Sequence, residues 1–158
     1  MARAYLGLGS NIGDREEHLR FALAELSRVG TVLARASLVE TDPVDCPAGG
    51  KFLNTCVCLD TALAPLRLLA AAMHIEQQRG RKRITRNEPR VLDIDILLYG
   101  ELVLSEQDLE IPHPRLQERG FVLNPLAEIA PNLMHPCAKV SVRTLLAGLK
   151  IAGEGGVP

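Results

Sequence analysis

A chain of 158 residues with 18 Lys and Arg against 19 Asp and Glu carries a formal net charge of -1, which excludes the basic excess of a general nucleic-acid or membrane-surface binder. That length fits one domain burying roughly two-thirds of its unfolded-chain surface, so the fold needs neither a disulfide nor a structural metal. The four cysteines, Cys46, Cys56, Cys58 and Cys137, form no C-x-x-C pair and show no zinc spacing, and a reducing cytoplasm is the expected compartment.

Ala4 to Leu8 reads as a short apolar strand running into Gly9-Ser10-Asn11-Ile12-Gly13-Asp14. A glycine-rich turn after a strand can cradle phosphate, but the Lys-Ser/Thr of a P-loop is missing and a plain strand-to-helix turn is the simpler reading. Asp14 is a good N-cap, Glu17 sits where a capping box requires it, and Leu19, Ala22, Leu23 and Leu26 make the stripe of a helix that Gly30 stops. Thr31 to Val39 is β-rich enough for a second strand. The loop Val44 to Gly50, with Pro47 and two glycines, is expected to be long and mobile.

Phe52 to Asp60 alternates as a third strand, with Phe52, Asn54, Cys56 and Cys58 on one face. Pro65 opens a second helix through Leu68, Leu69, Ala72, Met73, Ile75 and Glu76, ending near Gly80.

The next passage, Arg79 to Gly100, organises the chain. Its first half carries Arg79, Arg81, Lys82, Arg83, Arg86 and Arg90; its second half sets Asp93 and Asp95 inside an apolar run. Val91 to Tyr99 reads as a strand, sending Leu92, Ile94, Ile96 and Leu98 to one face and Asp93, Asp95 and Leu97 to the other. The two carboxylates are then neighbours, their Cα atoms roughly 6.5 to 7 Å apart. Anions that close, flanked by Leu and Ile, must be protonated, matched by cations or bound to metal. Mg²⁺ is commonly held by one or two carboxylates, with waters and substrate phosphates completing its shell, and the arginines would clamp the same phosphates. A solvated Arg-rich loop beside a salt-bridged Asp-x-Asp edge is the competing reading of these residues.

Leu102 to Leu104 and Leu109 to Ile111 read as a small hairpin, followed by Pro112-His113-Pro114-Arg115, where two prolines hold the backbone extended around a histidine. Arg119-Gly-Phe121 leads into a helix through Leu126 and Ile129, and Val142 to Leu149 gives a final one. The element order implies an α+β fold: a ferredoxin-like β-α-β-β-α-β core with an extra β-hairpin and C-terminal helices. Both core helices would cover one sheet face and leave the other for a ligand or a later helix. Residues 1–150 are expected to form one domain and 151–158 a flexible tail. The N-terminal run is too short for a signal peptide, and no span approaches membrane length.

From Tyr5 to about Leu149 the sequence resembles the 6-hydroxymethyl-7,8-dihydropterin pyrophosphokinases of folate biosynthesis. The matching motifs are Gly7-Leu-Gly9-Ser10-Asn11, Phe52-Leu53-Asn54, Arg90-Val-Leu-Asp93-Ile-Asp95-Ile-Leu-Leu-Tyr-Gly100, Ile111-Pro-His113-Pro-Arg and Arg119-Gly-Phe121-Val-Leu followed by Pro125-Leu-Ala-Glu-Ile-Ala-Pro131. The resemblance implies transfer of the β,γ-pyrophosphoryl group of ATP to the hydroxymethyl oxygen of the reduced pterin, with release of AMP. It further implies that Asp93 and Asp95 ligate two Mg²⁺ ions and that Arg81 and Arg90 clamp phosphate. Glu76, Arg83, Arg86, His113 and Arg119 would be nucleotide contacts, and Thr41, Val44, Phe52, Asn54 and Phe121 would build the pterin pocket. Departures from the family pattern fall at Asn87-Glu88, Met73, Asp108 and Pro114.

A pocket of that kind has a physical rationale: phenyl rings stack on a flat heterocycle, and an amide donates and accepts at its edge. The expected partners are ATP and the reduced hydroxymethyl pterin, with no nucleic acid and no membrane; the expected chain is a monomer. The loops at about Asp45 to Gly50 and Lys82 to Glu88 are expected to order when both substrates bind. A ferredoxin-like regulatory module that binds a nucleotide or other anion without turnover is the alternative that these residues leave open.

Overall fold

The computed structural model describes residues 1–42, 50–80 and 91–151, Ile151 by its backbone alone. Their order is β1 (Ala2–Ser10), α1 (Arg15–Leu26), β2 (Thr31–Arg35), β3 (Val39–Thr41), β4 (Phe52–Thr61), α2 (Pro65–Gln78) and β5 (Asp93–Tyr99). A hairpin of β6 (Leu104–Ser105) and β7 (Glu110–Ile111), a 3-10 turn (Leu116–Glu118), α3 (Gly120–Ile129) and α4 (Val142–Ile151) complete it. The result is a mixed α/β architecture with an antiparallel sheet and four helices.

The main sheet runs β2-β4-β1-β5, with β3 pairing farther along β4. Leu6, Leu8, Val57, Leu59, Ile94 and Ile96 pack in one core with Leu19 and Leu26 of α1 and Leu68 and Ile75 of α2. Tyr5, Cys56, Cys58 and Leu97 belong to a second core with Leu123 and Leu126 of α3 and Val142 and Leu149 of α4. Side chains alternate along a strand, so the two cores lie on opposite faces of the sheet. The second face therefore takes later helices over only part of its area, and the rest carries the cavity described below.

Local chemistry explains the boundaries. Asp14 caps α1 by accepting the Glu17 amide at 3.2 Å, as the sequence implies. A Cβ at Gly30 would stand 2.6 Å from the Asp60 carbonyl oxygen, so the tight passage from α1 into β2 admits only glycine. The Tyr99 hydroxyl donates to the Leu63 carbonyl at 2.7 Å and ties the end of β5 to the residues before α2.

Four expectations need correction. The first strand extends through Gly9 and Ser10, because both are paired in the ladder to β4; the turn starts at Asn11. The expected strand Thr31 to Val39 is two, since the Ser37 amide and hydroxyl both donate to the Glu128 carboxylate at 2.9 Å instead of continuing the ladder. Leu98 joins the second core rather than the first. A register shift pairs Tyr5 with Leu98 but Leu6 with Ile96, and the extra residue of such a bulge reverses the alternation beyond it. Beyond His113 the chain turns rather than running extended, its carbonyl accepting the Leu116 amide at 3.1 Å.

Candidate active site

The site is built on three neighbouring strands. On β1, Leu6 and Leu8 point into the core of α1 and α2, so Gly7 and Gly9 face the other way. Gly9 pairs with Asp93 on one side and Asn54 on the other, and Gly7 with Asp95 and Cys56. Two rows result, each with an acid, a glycine and a residue of β4. Because the central strand contributes no side chain, the acids of β5 look across an open floor toward β4.

A cavity stands over that floor, lined by Gly7, Gly9, Thr41, Asp42, Phe52, Asn54, Asp93, Asp95, Arg115, Arg119 and Phe121 among others. It brings together seven of the residues expected for this site: Thr41, Phe52 and Asn54 from β3 and β4, Asp93 and Asp95 of β5, Arg119, and Phe121 at the start of α3. Asn54 Nδ2 donates to Thr41 Oγ1 at 2.6 Å, which fixes the carboxamide and turns Oδ1 toward Gly9. The Arg119 guanidinium lies 5.5 Å from the centroid of the Phe121 ring. Such a contact holds the cation over an aromatic face.

His113 and Glu76 stand outside the cavity lining. The His113 amide donates to the Leu97 carbonyl at 2.9 Å, and its Nδ1 accepts the Arg115 amide at 3.2 Å. Burial, then Arg119 and Arg115, hold this imidazole below its ordinary value of 6.5. A neutral ring whose Nδ1 accepts carries its proton on Nε2, so it is a donor ready for an anion. Glu76 is buried on α2, and its Oε2 accepts the Ile94 amide at 2.8 Å. The remaining expected contacts, Val44, Arg81, Arg83, Arg86 and Arg90, lie outside the described residues, as do Asn87-Glu88 and nearly all of the two loops expected to order on binding.

Sequence reasoning passed over Gly9 and Arg115. The first was read as part of a turn; its signal was the i, i+2 spacing of Gly7 and Gly9 inside an apolar strand. The second was visible only as the last residue of Pro-His-Pro-Arg.

No three His, Cys, Asp and Glu side chains gather into a metal cage among the described residues. The paired acids of β5 offer two carboxylates, a donor pair that suits a hard divalent cation keeping most of its shell for water and phosphate oxygens. A softer metal would call for imidazole or thiolate ligands.

The 7,8-dihydro-6-hydroxymethylpterin-pyrophosphokinase (HPPK) family matches residues 5–131. A 2-amino-4-hydroxy-6-hydroxymethyldihydropteridine pyrophosphokinase of Bacillus subtilis is 48% identical over 128 residues, covering 80% of this chain and 77% of that protein. One of the same name from Pseudomonas aeruginosa is 43% identical over 158 residues, covering 99% and 97%. Among solved structures, wild-type Plasmodium falciparum HPPK-DHPS superposes with a TM-score of 0.76 at 15% identity over 99% of this chain, which spans 47% of that longer one. The chain thus belongs to the 7,8-dihydro-6-hydroxymethylpterin-pyrophosphokinase family.

Proposed function

We propose that Asp93 and Asp95 hold two Mg²⁺ ions against the triphosphate of ATP while the reduced pterin lies between Phe52 and Phe121 with its polar edge on Asn54. Membership of the family makes the chain an ATP-dependent pyrophosphokinase of folate biosynthesis, transferring pyrophosphate to the hydroxymethyl group of 6-hydroxymethyl-7,8-dihydropterin. That membership sets aside a binding module without turnover. The observation that carries the site assignment is that paired acids and a pocket of two phenyl rings and a fixed carboxamide line the same cavity.

Bound to those acids, the metal would neutralise charge on the phosphates and draw electron density from the β-phosphorus. The chain's own residues do the rest. Thr41 orients Asn54, Asn54 and the rings hold the hydroxymethyl oxygen in place, and Arg119 offers positive charge and the Nε2 proton of His113 a hydrogen bond where the leaving AMP gathers negative charge. Arg81, Arg83, Arg86 and Arg90 add to that clamp, Glu76 contacts the adenylate, and Val44 is assigned to pterin binding. No protein nucleophile is required, since alignment and preorganised charge supply most of the acceleration in such transfers.

The strand order β2-β4-β1-β5 with two β-α-β units supports a ferredoxin-like topology, with β2 and β3 serving as one interrupted strand. We assign one catalytic domain to residues 1–150, acting as a monomer in the cytoplasm; Ile151 ends α4, and residues 152–158 of the expected tail lie outside the described residues. No helix among the described residues is long and apolar enough to cross a membrane. The test is product identity: purified chain, Mg²⁺ and ATP should form AMP only when the hydroxymethyl dihydropterin is added, and formation of ADP would refute the reading.

A further inference from the structure

Gly9 is the penultimate residue of β1, still paired in the ladder to β4 and with an ordinary strand backbone; the glycines at positive φ among the described residues are Gly13, Gly80 and Gly100. Nothing in its conformation calls for glycine, and glycine weakens a strand, marking in many sheets a place where a ligand must come close. The demand comes from its neighbours. A Cβ at Gly9 would meet Asn54 Oδ1 at 3.0 Å and Phe52 Cδ1 at 3.6 Å. Asn54 is ill placed to yield, because its other end is bonded to Thr41 at 2.6 Å and the residue is buried. Gly7, two residues back, shows no such pressure: the nearest atoms to its Cβ would be those of Leu97, at an ordinary 3.6 Å.

We propose that Gly9 is a specificity-determining residue of the pterin pocket. The missing side chain leaves the Asn54 carboxamide oxygen uncovered and the floor beside Phe52 level, so that a flat heterocycle can slide in far enough to donate its ring N–H to that oxygen. A methyl group there tilts the carboxamide off Thr41 or blocks the edge of the ring, and a buried donor left without its acceptor is what separates a cognate ligand from a poor one. The proposal rests on the pyrophosphokinase reading of the cavity.

Titration calorimetry of the full chain with 6-hydroxymethyl-7,8-dihydropterin, and separately with a non-hydrolysable Mg²⁺-ATP analogue, tests it. Gly9→Ala should bind the pterin about tenfold or more weakly while its nucleotide affinity stays within about threefold of wild type. Adding Gly9→Ala to an Asn54→Ala chain should change pterin affinity less than about threefold, since the contact it disturbs is already gone. Pterin affinity within that margin in folded Gly9→Ala, parallel loss of nucleotide binding, or a Gly9→Ala chain that unfolds and is not restored by Asn54→Ala would overturn the inference. A wild-type chain that binds nucleotide but no pterin overturns the reading of the cavity itself, a result separable from the others.

Discussion

The Glu76 carboxylate on α2 accepts the amide proton of Ile94, the residue between Asp93 and Asp95, at 2.8 Å. Since β5 pairs only to β1 among the described residues, this bond ties the acid-bearing segment to the helix layer. The Leu97 carbonyl of the same strand takes the His113 amide at 2.9 Å, so β5 is held at both of these points by chain distant in sequence.

Removing the carboxylate should therefore loosen the strand as well as the fold. Glu76→Ala leaves the buried Ile94 amide without this acceptor, a loss of about 1–3 kcal/mol, whereas Glu76→Gln keeps an oxygen in place. Urea unfolding is expected to show Glu76→Gln closer to wild type than Glu76→Ala. Equal losses would mean that the hydrogen bond contributes little.

Asp95 is exposed at the cavity and pairs across the ladder with Gly7. Asp95→Ala should lower the rate of AMP formation by about 10²-fold or more, the scale expected when an electrostatic element of a transfer site is lost. The unfolding midpoint should stay near wild type, because no core contact is removed. A rate within tenfold of wild type, at saturating Mg²⁺, would remove Asp95 from the metal assignment.

Three histidines give the fold a pH dependence of known sign. Burial lowers the pKa of His18, His113 and His135 below the ordinary 6.5, with Arg79 adding to the effect at His18 and Arg119 and Arg115 at His113. Each ring binds a proton less readily folded than unfolded, so its contribution is whole above about pH 6.5 and is lost as the pH falls through the lowered folded values. Protonation of His135 would also cancel the bonds its Nδ1 accepts from the Cys137 and Ala138 amides at 3.1 and 3.0 Å. Urea midpoints should drop between about pH 7 and 5, and His135→Asn, which keeps an acceptor without the titration, should shrink the drop. A midpoint that rises on acidification contradicts this.

Two glycines should respond oppositely to the same change. Gly148 sits exposed in α4 with open space around its Cβ position, so Gly148→Ala should stabilise by about 0.5–1 kcal/mol. At Gly30 the Asp60 carbonyl lies 2.6 Å from the new methyl, so Gly30→Ala must shift backbone and should lower the melting temperature. Calorimetric melts of the two variants decide it; equal signs would reject the packing described at the α1–β2 passage.

Much of this was legible in the sequence, for identifiable reasons. Strand periodicity carried Asp93 and Asp95 to one face, and the capping box fixed the start of α1 at Arg15. Phe52 and Asn54 share a face for the same period-two reason and meet in the cavity. What escaped depends on distant partners. The break in the second strand needs Glu128 from α3, and the reversal at Leu98 needs a register shift against β1. The role of Gly9 needs Asn54 and Phe52 beside it, which no local pattern announces.

The central claim, that the paired acids and the pterin pocket serve one pyrophosphoryl transfer, is met most directly by following the β-phosphorus. With ATP labelled at the β position and 6-hydroxymethyl-7,8-dihydropterin as acceptor, the account predicts label in the pterin product and none in AMP. Label retained in ADP, with only the γ-phosphate moved, would contradict it.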